Sequence, residues 1–152
     1  MKRSQSISLA LKTIGFAALA SAVFAAVLAP ARADSTVQVE LWDQPDGTQG
    51  INLSTDEVKA GKVTFEITNS SHVMEHEFLI VKTDMGAEHF PMKSAGAKVD
   101  ESKLEGVDEY GDVEEGETES WTTELAPGQY VLFCNEEGHF AAGMHTTFTV
   151  TP

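Results

Sequence analysis

The chain contains a single cysteine among its 152 residues. One thiol cannot close a disulfide within the chain, and it cannot build a multi-cysteine zinc ribbon or an iron–sulfur motif. Basic residues are also scarce: ten Lys and Arg stand against 24 Asp and Glu, a formal net charge of −14. A polyanion of that strength repels phosphate backbones, which argues against nucleic-acid binding. There is no glycine-rich nucleotide loop, no internal repeat and no sustained helical period. Beyond residue 33 no apolar run is long enough to cross a membrane. The length suits one domain, and an apolar fraction of 41% excludes a wholly disordered chain.

The charge is unevenly placed. Residues 1–33 carry Lys2, Arg3, Lys12 and Arg32 and no acid, so the remaining 119 residues hold a net charge of −18. Lys2, Arg3 and Lys12 precede an Ala-rich apolar run from Ile14 to Ala29, and Ala31-Arg32-Ala33 supplies the small-x-small pattern of a signal-peptidase site. The run is shorter than the roughly 20 residues of a spanning helix. A cleaved signal peptide over 1–33 is therefore expected, with no twin-arginine pair. Residues 34–152 are expected to be one exported, soluble, periplasmic-type domain. A lone cysteine in an oxidising compartment then needs a role other than a disulfide.

After residue 33 the pattern is β. Thr36–Trp42, Val63–Thr68 and Glu119–Leu125 alternate in polarity. Glu77–Lys82 and Tyr130–Cys134 are more continuously apolar, and Thr146–Val150 closes the chain. Short β-rich runs separated by Gly and Pro turns predict an all-β, antiparallel sandwich or barrel. Residues 84–119 differ, with twelve acids against Lys93, Lys98 and Lys103. They are expected to form an acidic surface excursion with a short helical turn near 93–99. Trp42, Trp121, Phe65 and Phe78 are core candidates.

The chemistry concentrates in Tyr130–Met144, where Cys134, His139 and Met144 are spaced five residues apart. His76 heads an apolar strand upstream. A thiolate, two imidazoles and a thioether form a soft-to-borderline donor set. Zinc rarely accepts a thioether, whereas two His, one Cys and a distant Met suit copper in an electron-transfer site. Taken alone, each residue has a plainer role, Cys134 as a small buried hydrophobe and Met144 as core filler. His72, Met74 and His76 alternate, so an ideal strand would place them on one face, either as an accessory copper-capturing edge or by coincidence at the mouth of a loop. His145 is expected to point away from the metal, and His89 has no evident role.

These residues resemble the cupredoxin family of blue (type 1) copper proteins, which includes plastocyanin, azurin and rusticyanin. The resemblance covers most of 35–152 and rests on MEHEF around His76, on YVLFCNEEGHFAAGM and on the closing TTFTV. It implies a Greek-key β-sandwich or barrel and one mononuclear type 1 copper ion. His76, Cys134 and His139 would be the strong equatorial ligands and Met144 the weak axial one. Many family members have Asn or Ser directly after the first copper histidine, tying two ligand loops together. Here that position is Glu77, a departure that bears on the reduction potential, and Asn135 is the candidate for an equivalent tie.

The leading functional expectation is a one-electron Cu(II)/Cu(I) carrier, with His139 at the electron exit and Phe140, Ala141, Ala142 and Gly143 as a contact patch. Its partner would be a redox protein with a basic face, such as a cytochrome, an oxidase or a reductase. The alternative is copper binding, delivery or tolerance in the same fold, although no Met- or His-rich tract is present. An enzyme using Cys134 and His139 as nucleophile and base lacks an orienting residue. Five histidines cannot also furnish a trinuclear copper cluster.

Overall fold

The computed structural model describes residues 34–93 and 97–152. The expected signal peptide lies outside them. Among the described residues nine strands form two sheets: β1 (Ser35–Asp43), β2 (Gln49–Leu53), β3 (Glu57–Lys59), β4 (Gly61–Asn69), β5 (His76–Lys82), β6 (Val107–Val113), β7 (Thr118–Leu125), β8 (Gly128–Phe133) and β9 (His145–Thr151). One sheet runs β2-β1-β4-β7 and the other β3-β9-β8-β5-β6. They make an all-β sandwich, not a closed barrel. The sheets are mixed, because β1 pairs parallel with β4 and β3 pairs parallel with β9. The wholly antiparallel expectation is corrected here. Parallel neighbours are joined through distant chain segments, which local alternation does not report.

Period-two alternation builds the core. Val37, Val39 and Leu41 of β1 and Val63, Phe65 and Ile67 of β4 face Phe78, Ile80, Leu132 and Phe148 of the other sheet. Phe65 lies 5.5 Å from Phe78 and 5.7 Å from Phe148 between ring centres, and it stacks on Trp121 at 5.9 Å. Phe65 and Phe78 are fully buried, and Trp121 packs half-buried at the margin. Trp42 is the exception among the core candidates. It falls in the outward row of β1 and lies over Gly50, where a Cβ would come within 2.8 Å of its ring.

The continuous apolar runs in β5 and β8 have a direct cause: both faces of these central strands are covered. Their outward side chains Leu79, Val81, Val131 and Phe133 form a second cluster with Ala87, Phe90, Val99 and Phe140. The excursion after β5 therefore packs across the outside of the sheet. Phe90 stacks on Phe140 with ring centres 5.6 Å apart. The expected helical turn near 93–99 centres on residues 94–96, which lie outside the described ones. Met92 and Val99 pair as an antiparallel bridge, and Lys93 N–H donates to the Lys98 carbonyl at 2.8 Å. The only helical turns described in the excursion are single 3-10 turns at Ala87–His89 and Glu101–Lys103. The acidic stretch also contains a full edge strand, β6, paired with β5.

Candidate metal centre

The inward row of β5 is His76, Phe78, Ile80, so its first residue places an imidazole at one end of the core. β8 ends at Phe133, and Cys134 continues its inward row with no exposure. The chain then turns back within ten residues. Gly138 (φ 86°) and Gly143 (φ 102°) supply the left-handed conformations that this reversal needs. The loop is closed at its base, where Cys134 N–H donates to the Met144 carbonyl at 3.1 Å and Met144 N–H to the His139 carbonyl at 3.0 Å. Backbone hydrogen bonds thus fix the spacing of Cys134, His139 and Met144.

Donor atoms of His76, Cys134 and His139 all lie within 4.8 Å of one another. The two Nδ1 atoms are 3.2 Å apart, and Cys134 Sγ is 3.4 Å from His139 Nδ1. Ligands held about 2.0–2.3 Å from a shared first-row ion have such mutual spacings. His76 and Met144 are fully buried, while His139 is half-exposed. Burial holds both histidines below the ordinary imidazole range, His76 further through its neighbour His139. Both rings are therefore neutral at pH 7, the state in which they donate lone pairs. Burial pushes the Cys134 thiol up to about 11 in the metal-free protein. Neutral imidazoles, a sequestered sulfur and a thioether on the same loop fit a copper ion.

The supporting residues differ from the sequence expectation. Asn135 does not join the two ligand segments. Its Oδ1 accepts from Val99 N–H at 2.7 Å, and its amide donates to the Val99 carbonyl and to Glu101. It ties the ligand loop to the excursion instead. The link between ligand segments is Glu77 N–H, which donates to Cys134 Sγ at 3.3 Å. The Glu77 side chain points outward under the excursion, where burial and then the Glu101 carboxylate push it up to about 7.

Asn69 was not singled out from the sequence. It donates to the carbonyls of Met74 and Val113 and accepts from Ser71 N–H, shaping the approach to His76. An inward position ending the alternating row of β4 was the only signal for it. Residues 70–75 form a bend ahead of β5, with His72 exposed and Met74 half-buried. The shared face expected for His72, Met74 and His76 does not form. His145 packs against Phe140 with ring centres 4.8 Å apart, and His89 is exposed beside Glu88. Phe140 is 6% exposed and belongs to the second cluster, so only Ala141, Ala142 and Gly143 of the expected patch are open.

The two sheets and the His–Cys–His cluster at one end of the core define a β-sandwich protein with a mononuclear metal centre of soft donors. The profile of the copper binding proteins of the plastocyanin/azurin family matches residues 46–151. The chain belongs to that family, and its cofactor is copper. No curated protein sequence matches it significantly. Among solved structures, rusticyanin from Thiobacillus ferrooxidans superposes with a TM-score of 0.57 at 15% identity, over 77% of each chain. Auracyanin B gives 0.54 at 22%, over 78% of this chain and 89% of its own. Dithionite-reduced auracyanin from Roseiflexus castenholzii gives 0.51 at 22%, over 80% and 99%. At these identities the likeness establishes the fold.

Proposed function

We propose that this chain is an exported one-electron carrier in which His76, Cys134 and His139 hold copper equatorially and Met144 axially. The observation that carries the reading is the convergence of three donors, two of them buried, within 4.8 Å. Bound there, copper supplies a Cu(II)/Cu(I) couple. The protein's part is to hold its ligands still: His76 by its pairing with Val113 in the β5–β6 ladder, and the other three by the closed loop. Rigid ligands reduce the rearrangement that accompanies gain or loss of an electron. His139, half-exposed beside the open Ala141, Ala142 and Gly143, is the route to a partner.

The partner is a redox protein with a basic docking face. Carboxylate oxygens of Glu75, Asp112 and Glu136 lie within 4.8 Å of one another. Glu75 and Glu136 each sit within three residues of a ligand, so acidity borders the copper end. Export follows from the signal pattern over 1–33. Among the described residues no helix is long and apolar enough to cross a membrane.

The decisive experiment is optical. Copper(II)-loaded protein should show an intense visible thiolate charge-transfer band that bleaches on reduction, and Cys134→Ser should abolish it. A coloured Cys134→Ser protein overturns the ligand assignment. Reduced protein should also keep its copper against a moderate Cu(I) chelator and cycle reversibly at an electrode. Rapid stripping on reduction would make it a copper-delivery protein of the same fold.

A further inference from the structure

The inward row of β1 runs Val37, Val39, Leu41 and then, where the period demands another apolar residue, Asp43. Its carboxylate therefore points toward the core at the end where His76 sits. The Asp43 side chain is 9% exposed, and Oδ1 lies 3.6 Å from His76 Nε2. Both atoms are buried, and neither has another hydrogen-bond partner among the described residues. A buried ring N–H and a buried carboxylate oxygen each demand a partner. A closing movement of about half an ångström brings this pair within hydrogen-bond range.

We propose that Asp43 is the positioning residue of the copper centre, accepting the Nε2–H of His76 and thereby presenting the Nδ1 lone pair to the metal. This rests on the reading of His76 as a ligand. A histidine ligand is oriented by the bond that its second nitrogen makes, and a carboxylate there raises the donor strength of the ring. His76 Nδ1 already faces His139 Nδ1 and the thiol, so only Nε2 remains for an outer partner. Asp43 also places a negative charge behind one equatorial ligand. It favours Cu(II), the more positive ion, and so lowers the reduction potential.

The test uses Asp43→Asn, which preserves shape and removes charge, and Asp43→Ala, which removes the acceptor. Glu40→Gln, on the outward row of the same strand, controls for loss of one carboxylate. In metal-free wild type, nitrogen NMR should find His76 as the Nε2–H tautomer, with Asp43→Ala giving a mixture. In the loaded protein, Asp43→Asn should weaken Cu(II) binding about 10–100-fold. Cu(I) binding should change less, and the potential should rise by about 59 mV for each tenfold difference between them. An Nδ1–H tautomer in metal-free wild type overturns the proposal, as does Asp43→Asn matching Glu40→Gln in affinity and potential. A wild type that binds copper without a thiolate band would overturn the ligand reading instead, and the metal-free tautomer would still decide whether Asp43 orients His76.

Discussion

Each ligand brings its own physical consequence. In the metal-free protein the Cys134 thiol is held protonated up to about 11 by burial, while His76 and His139 are neutral at pH 7. A metal ligand must be deprotonated, so copper uptake near neutrality displaces about one proton, and it comes from Cys134. The sign follows directly: affinity should rise about tenfold per pH unit from pH ~7 toward the thiol's own value, as titration in weakly buffered indicator solution would show. Uptake without proton release would remove the thiol from the coordination shell. Met144 makes a different prediction, because axial ligand identity tunes such centres. Met144→Gln substitutes a harder oxygen, which stabilises Cu(II), so voltammetry should record a lower potential with copper retained. An unchanged potential would place Met144 outside the shell.

At the scale of elements, the excursion between β5 and β6 does more than carry charge. Phe90 packs against Phe133 and Phe140 at 5.8 and 5.6 Å between ring centres, and Phe140 belongs to the ligand loop. Asn135 adds hydrogen bonds from the residue after Cys134 to Val99 and Glu101. The segment therefore clamps the loop from outside the sheet. Phe90→Ala empties a buried aromatic site and should cost about 3–5 kcal/mol in chemical denaturation. The thiolate band should persist, since every ligand remains. A stability loss below about 1 kcal/mol would mean that the excursion does not share the fold's cooperative packing.

For the whole molecule the deciding quantity is charge. The residues after 33 carry −18, and part of that acidity lies beside the ligands at Glu75, Asp112 and Glu136. The Asp112 carboxylate, with burial and more weakly Glu114, Glu136 and Glu115, holds Glu75 above the usual carboxylate range. Such a field speeds encounter with a basic partner and is screened over about 8–10 Å at ordinary ionic strength. Electron transfer to a basic cytochrome should slow steeply with added salt. Charge reversal at Asp112, Glu114 and Glu115 should slow it at low salt without moving the visible band. A flat stopped-flow salt series, matched by the variant, would leave the open residues around His139 as the recognition surface.

The ligand loop was legible in the sequence because three of its chemical groups lie within Cys134–Met144, where spacing and backbone closure are local properties. The inward rows of β1, β4 and β5 were legible for a similar reason, since alternation is a property of consecutive residues. What lay beyond such reading depends on partners distant in the chain. Only Val113 of the edge strand β6 is fully buried, so its acidic sequence carries no apolar alternation; its pairing with β5 makes it a strand. The parallel pairings of β1 with β4 and β3 with β9 are likewise set by how the sheets assemble. Trp42 lies on the outward face although its composition suggests a core residue, because the register of β1 sends Leu41 and Asp43 inward. Composition and spacing determined which metal the chain takes. Only the packing of the two sheets decided which carboxylate faces the buried histidine, because that contact joins the end of β1 to the start of β5 across the sandwich.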